Sequence, residues 1–138
     1  MNEYTFSELK LGMKESFNRK IGADEIEMFS ALTGDANPLH LDENYVSSTQ
    51  FKRTVVFGQL VNSYLSTLAG MYLPGKYSLI LSVESYFKNP CYQGDEITIK
   101  GEITKIIENG KLIIIKTEII NHKMEILQTG KMIVKLLK

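Results

Sequence analysis

Gly58-Gln-Leu-Val-Asn-Ser-Tyr-Leu-Ser-Thr-Leu-Ala-Gly-Met-Tyr72 reads as one long helix with almost no polar side. Leu60, Val61, Tyr64, Leu65, Leu68 and Met71 cover most of its circumference. A helix that is apolar nearly all round has to be buried on most sides. Pro74-Gly75 then stops it, because proline offers no N–H to continue the ladder. What the rest of the chain can place around this helix decides the fold.

Beyond Pro74-Gly75 the hydrophobic period changes. Tyr77 to Lys88, Glu96 to Ile107, Leu112 to Asn121 and Ile126 to Leu137 are runs rich in β-branched residues and suited to strands. Asn109-Gly110 signals a two-residue hairpin, and Gly94-Asp95 marks another turn. An early strand is expected near Lys14 to Lys20. Ala23 to Thr33 spaces Ile26, Phe29 and Leu32 at helical intervals, with acidic residues in the first turn and Gly34 as the stop. Gly34 to Asp42 reads as a non-helical segment, followed by a short helix around Asp42 to Thr49. Helices first and consecutive antiparallel strands afterwards give an α+β domain. The economical way to bury the long helix is to wrap the sheet around it, which is the hot-dog fold. With no linker, repeat or low-complexity tract, residues 1–138 read as one domain.

Composition excludes several classes. Hydrophobic content of 43% and charged content of 23% are those of a globular protein. Sixteen basic residues balance 16 acidic ones, so no basic stripe awaits a nucleic acid, and little repulsion opposes self-association. The single cysteine, Cys91, cannot form an intramolecular disulfide and fits a reducing compartment. Charges interrupt MNEYTFSELKLGMKESF too often for a signal peptide or a membrane span, and Leu112 to Ile115 is far too short to cross. The expectation is a soluble cytoplasmic protein with neither nucleic acid nor membrane as partner. No Cys/His spacing resembles a zinc site, and no glycine-rich phosphate motif is present. We therefore expect no metal and no nucleotide cofactor.

The residues that carry chemistry lie together. Gly34-Asp-Ala-Asn-Pro-Leu-His40-Leu-Asp42 brings a carboxylate, an amide and one of only two histidines to either side of a rigid proline. By residue type alone this is either a polar turn, for which Asp and Asn are standard, or an acid–base pair held ready.

Phe29 to Asp42 resembles the hydratase signature of the MaoC-like hot-dog family, and within it the small (R)-specific enoyl-CoA hydratases. Phe51-Lys-Arg-Thr-Val-Val-Phe-Gly58-Gln-Leu resembles that family's loop into the central helix. Tyr86-Phe-Lys88-Asn-Pro90-Cys-Tyr-Gln-Gly94-Asp95-Glu-Ile resembles its strand and turn reading Phe-Lys-x-Pro-x-x-x-Gly-Asp-Glu. The three stretches occur in order and span almost the whole chain. One departure stands out: the family commonly has His-Gly at the helix entry, where this chain has Phe57-Gly58.

The resemblance implies hydration of a short- or medium-chain 2-enoyl-CoA, with Asp35 and His40 gripping one water and adding it syn to give an (R)-3-hydroxyacyl product. It implies that the Gly58 amide, at a helix N-terminus, stabilises the thioester oxygen as it becomes negative. Asn37 would support the pair or merely form a turn before Pro38. Ser66 would face the pocket, and the small Ala69 would leave room for the acyl tail. Lys52, Arg53 and Lys88 are candidates for the phosphates of CoA. No cofactor is needed, because substrate and water supply every atom. An open sheet edge implies a homodimer or a higher homo-oligomer. Rival readings on the same fold are a carrier-protein thioester dehydratase, an acyl-thioesterase, and an acyl-CoA-binding module without turnover. Retention of both Asp35 and His40 favours hydration.

Overall fold

A computed structural model describes residues 1–138. Its strands fall where the β-branched runs put them: β1 Lys14–Lys20, β2 Ser78–Phe87, β3 Glu96–Ile107, β4 Leu112–Asn121 and β5 Ile126–Leu136. They form one sheet in the order β1-β3-β4-β5-β2, with every neighbouring pair antiparallel. The helices are α1 Ala23–Thr33, α2 Pro38–Leu41, α3 Glu43–Ser47 and α4 Gly58–Thr67.

Alternation along the strands gives the sheet its inner face. Ile97, Ile99 and Ile103 of β3, Ile113, Ile115 and Ile119 of β4, and Met132, Val134 and Leu136 of β5 are all at most 1% exposed. They form one cluster with Leu60, Val61, Leu65, Leu68 and Ala69 of the central helical run. Burying a side chain of this size contributes about 1.5–3 kcal/mol, so this contact dominates the stability. The arrangement is the α+β, sheet-around-helix one that the sequence implies.

The sheet is thinned where the helix presses deepest. Gly101, Thr117, Gly130 and Ser85 pair in register across four strands. A Cβ on Gly101 would lie 2.8 Å from Leu68 Cδ2, so the leucine fills the space the glycine leaves. A Cβ on Gly130 would lie 1.9 Å from the Glu84 carbonyl oxygen, a contact no alanine can make.

Four local expectations are corrected. The helix read as Gly58 to Tyr72 stops being α-helical at Thr67, and Leu68–Tyr72 widens into a π turn. Pro74 cannot extend the ladder, and in the wider turn the carbonyls of Leu68 and Ala69 accept from Leu73 and Gly75 instead, each at 2.8 Å. The segment read as non-helical contains α2, because Pro38 suits a first helical position and Asn37 caps it. The Asn109-Gly110 hairpin is a four-residue connection, Glu108 to Lys111, closed by the Ile107–Leu112 pair. Both Gly110 (φ 90°) and Lys111 (φ 52°) take the left-handed conformation there. Finally, the expected apolar stripe of α1 is buried at one end only: Ile26 is 6% exposed and Leu32 is 85% exposed.

Gly130→Ala is expected to push β2 from β5 and cost at least about 2 kcal/mol, roughly 5–10 °C in thermal midpoint. A thermal unfolding curve superimposable on the native one contradicts the close approach described here.

Candidate active site

Gly34, at φ 78°, ends α1 in the left-handed conformation and turns the chain sharply. The backbone of Asp35 is then pinned to the helix it has just left. Its N–H donates to Thr33 Oγ1 (3.2 Å), and its carbonyl accepts from Ser30 Oγ (2.8 Å). The side chain stays exposed, with Oδ1 accepting from the Asn37 N–H at 3.1 Å. Asn37 Oδ1 accepts from the Leu39 N–H at 3.0 Å as the N-cap of α2. The amide side chain thus forms the turn, and it is the backbone N–H of Asn37 that holds the carboxylate.

His40 sits in α2, half-buried, with Nδ1 2.6 Å from the carbonyl oxygen of Val55. A carbonyl only accepts, so Nδ1 carries a proton, and the neutral form of the ring is the tautomer with Nε2 bare. Val55 in turn donates its N–H to the Leu39 carbonyl at 3.1 Å, and Val56 donates to the Cys91 carbonyl at 2.8 Å. The loop before α4 is therefore tied on both sides of the histidine. Phe57, 2% exposed, lies beneath it: its ring is 4.1 Å from that of His40 and 5.0 Å from that of Phe29, centroid to centroid. In this chain an apolar ring packs where the resemblance leads one to look for a second histidine. Gly58 is the first residue of α4, where helix N–H groups lack partners within the helix.

Asp35, His40 and Gly58 line one cavity of about 420 Å³, together with Phe29, Thr33, Phe57, Gln59 and Phe87. A second cavity of about 450 Å³ shares His40, Gly58 and Phe87 with it and is mostly apolar, with Lys88 and Gln128 in its wall. A third hollow, on the outer face of the sheet, has no apolar wall. There Lys14 pairs with Glu102 and Lys100 with Glu118, so its charges are largely answered already.

Ser66 is exposed and Ala69 is fully buried in the core, and neither lines a cavity that holds Asp35 or His40. Of the cationic candidates, Lys88 reaches the second cavity, Arg53 stacks 3.7 Å from the centroid of Tyr92, and Lys52 Nζ lies 3.4 Å from the Ser47 carbonyl. Burial pushes the Cys91 thiol up to about 12, with the Asp95 carboxylate adding to the effect, so it stays protonated and unreactive at neutral pH. Nowhere do three or more His, Cys, Asp or Glu side chains gather as metal ligands do. No helix is long and apolar enough to cross a membrane.

Sequence reading missed Val55, Phe87 and Gln128. A backbone carbonyl such as that of Val55 leaves no trace in the residue types. Gln128 did leave one: it has the same parity as the core residues Met132, Val134 and Leu136, so a polar side chain occupies an inward position.

Comparison with known proteins identifies the family and the fold. The model of the MaoC-like domain matches residues 7–124. The (R)-specific enoyl-CoA hydratase of Aeromonas caviae is 38% identical over 93% of this chain and 96% of its own length. The solved structure of the Aeromonas caviae (R)-hydratase superposes with a TM-score of 0.89 over 93% of this chain and 97% of that one. An R-hydratase of Pseudomonas aeruginosa, 26% identical, superposes at 0.90 over 96% of this chain and 84% of that one.

Asn37→Ala removes the cap of α2 and should cost about 1 kcal/mol, whereas Asn37→Asp, an equally good cap, should cost close to nothing. Equal denaturant midpoints for the alanine variant and the native protein would mean that the cap does not hold α2.

Proposed function

This chain belongs to the MaoC-like domain family, and on that footing we propose that it hydrates trans-2-enoyl-CoA to (R)-3-hydroxyacyl-CoA and catalyses the reverse dehydration. The observation that carries the proposal is the convergence of Asp35, His40 and Gly58 on one cavity. The similar (R)-specific hydratases of Aeromonas caviae and Pseudomonas aeruginosa support the same activity.

The chemistry follows from what each group can offer. The Asp35 carboxylate and the bare Nε2 of His40 both accept, so a single water can donate a hydrogen bond to each. Removal of one of its protons lets the oxygen attack C3 of the enoyl group. Electrons move to the thioester oxygen, which accepts from the Gly58 N–H at the positive end of α4. As that enolate-like species collapses, the proton returns to C2 from the side on which the water sat. Water has then been added syn, and every atom is accounted for. A donor such as the Gly58 N–H contributes on the order of 3 kcal/mol to this step.

The acyl group we propose is short or medium in length, and residues 1–138 act as one hydratase unit. Ser66 and Ala69, which line neither cavity, carry no step in the mechanism. We also propose a homodimer. β2 pairs only with β5 and ends the sheet, and it exposes Leu79, Leu81 and Val83, a combination that calls for a second copy alongside.

Loss of the conjugated-thioester absorbance of crotonyl-CoA reads the reaction directly. Asp35→Asn and His40→Ala should each slow it by roughly 100-fold or more. Native-like rates in either variant remove that residue from the mechanism. Gly58→Ala separates fold from function, because its Cβ would meet the Phe87 ring at an ordinary 3.5 Å. Its thermal midpoint should stay within about 2 °C of native, while kcat/KM falls at least about tenfold as the methyl crowds the thioester. An equal loss of stability and activity would point to a purely structural glycine.

A further inference from the structure

Gln128 lies on the inner face of β5, 5% exposed, in the wall of the second cavity. Its Nε2 donates to the carbonyl oxygen of Gly58 at 2.8 Å. That contact fixes the orientation of the amide: a carbonyl cannot donate, so the NH₂ group must face Gly58 and Oε1 must face away. Oε1 is the one buried side-chain polar atom in the chain without a hydrogen-bond partner. An acceptor buried without a partner has given up its water for nothing in return, and a donor from outside the chain would answer it. Of the donors in the surrounding wall, His40, Asn89 and Cys91 are turned to the carbonyls of Val55, Ile126 and Tyr92, and neither they nor Lys88 hydrogen-bonds to Oε1.

We propose that Gln128 Oε1 receives the N–H of the CoA arm, the amide two methylene groups beyond the thioester sulfur. The proposal rests on the hydratase reading above. With the thioester oxygen on the Gly58 N–H, the enoyl group on one side brings no N–H or O–H of its own. The arm on the other side brings an amide N–H as its first polar group. The second cavity contains Gly58 and His40 and lacks Asp35, so it extends from the thioester site on the side away from Asp35. One side-chain amide then does two things. Its nitrogen holds the backbone of the residue that binds the thioester oxygen, and its oxygen holds the arm that delivers the thioester. Gln128 would set the register of the substrate relative to Asp35 and His40, contributing binding and position and no proton transfer.

Two small thioesters test this on the native protein. The crotonyl thioester of N-acetylcysteamine keeps the amide N–H, and the crotonyl thioester of 2-mercaptoethyl acetate replaces that N–H with an ester oxygen at equal length. The ester should be hydrated with a kcat/KM at least about tenfold lower, because it sets a lone pair against Oε1. In Gln128→Met, which preserves volume, the two thioesters should converge to within about threefold as that contact disappears. A merely structural glutamine would slow both substrates alike in the variant and leave the native protein indifferent between them. Equal native rates, discrimination that survives in Gln128→Met, or turnover of crotonyl-CoA without turnover of either short thioester would each overturn the role of Gln128. Absence of turnover on crotonyl-CoA itself would instead remove the hydratase reading, and this proposal with it. Should Gln128→Met fail to fold, the comparison on native protein still decides.

Discussion

The burial of Leu60, Val61, Leu65, Leu68 and Ala69 against the inner face of the sheet is the contact from which every other position follows. A helix with so little polar surface is tolerable in water only if it is enclosed. Five strands enclose it, and Gly101 gives way beneath Leu68 so that it can sit close. Once the helix is fixed in the sheet, its N-terminus is fixed too. Gly58 therefore presents its N–H at a defined place before any substrate arrives, the preorganisation that its proposed role toward the thioester oxygen requires.

The rest of the site is assembled on that end of the helix largely by backbone. The Leu39 carbonyl accepts from Val55, the Val55 carbonyl accepts from His40, and the Cys91 carbonyl accepts from Val56. These bonds tie α2, the loop before α4 and the segment after β2 to one another around the imidazole. Phe57 fills the floor beneath the ring, and aromatic packing replaces the polar partner that a histidine would have supplied there. Asp35 is held more loosely, at the exposed end of α1, through its own backbone and one oxygen. The pair thus combines a tightly oriented imidazole with a carboxylate open to the cavity.

Much of this was legible in the residues. The bounds of α1, β1, β3 and β4 coincide with the runs read from the sequence, because turn residues such as Gly34, Gly94 and Asn109-Gly110 mark where the helical spacing and the β-branched runs begin or end. The π turn at Leu68–Tyr72 was not legible, since α and π turns place the same apolar residues in the core and differ only in which carbonyl each N–H meets. The one-turn helix at Pro38–Leu41 is too short for any period to show. At the site, the Asp35-x-Asn37-Pro38-x-His40 spacing and the glycine at the start of α4 pointed to residues that share a cavity. Ser66 and Ala69 were placed by position along a helix, and which side of α4 meets the cavity depends on how the sheet curls around it. The inward parity of Gln128 could have been read, although its contact with Gly58, across a separation of seventy residues, could not.

In the proposed reaction water is delivered from the side of the cavity that Asp35 and His40 share, with the thioester oxygen at Gly58. Hydration of crotonyl-CoA in D₂O, followed by assignment of configuration at C2 and C3 of the product, tests this most directly. The expected product is (R)-3-hydroxybutyryl-CoA with the deuteron at C2 on the same face as the new hydroxyl. An (S) product, or a deuteron on the opposite face, would contradict it.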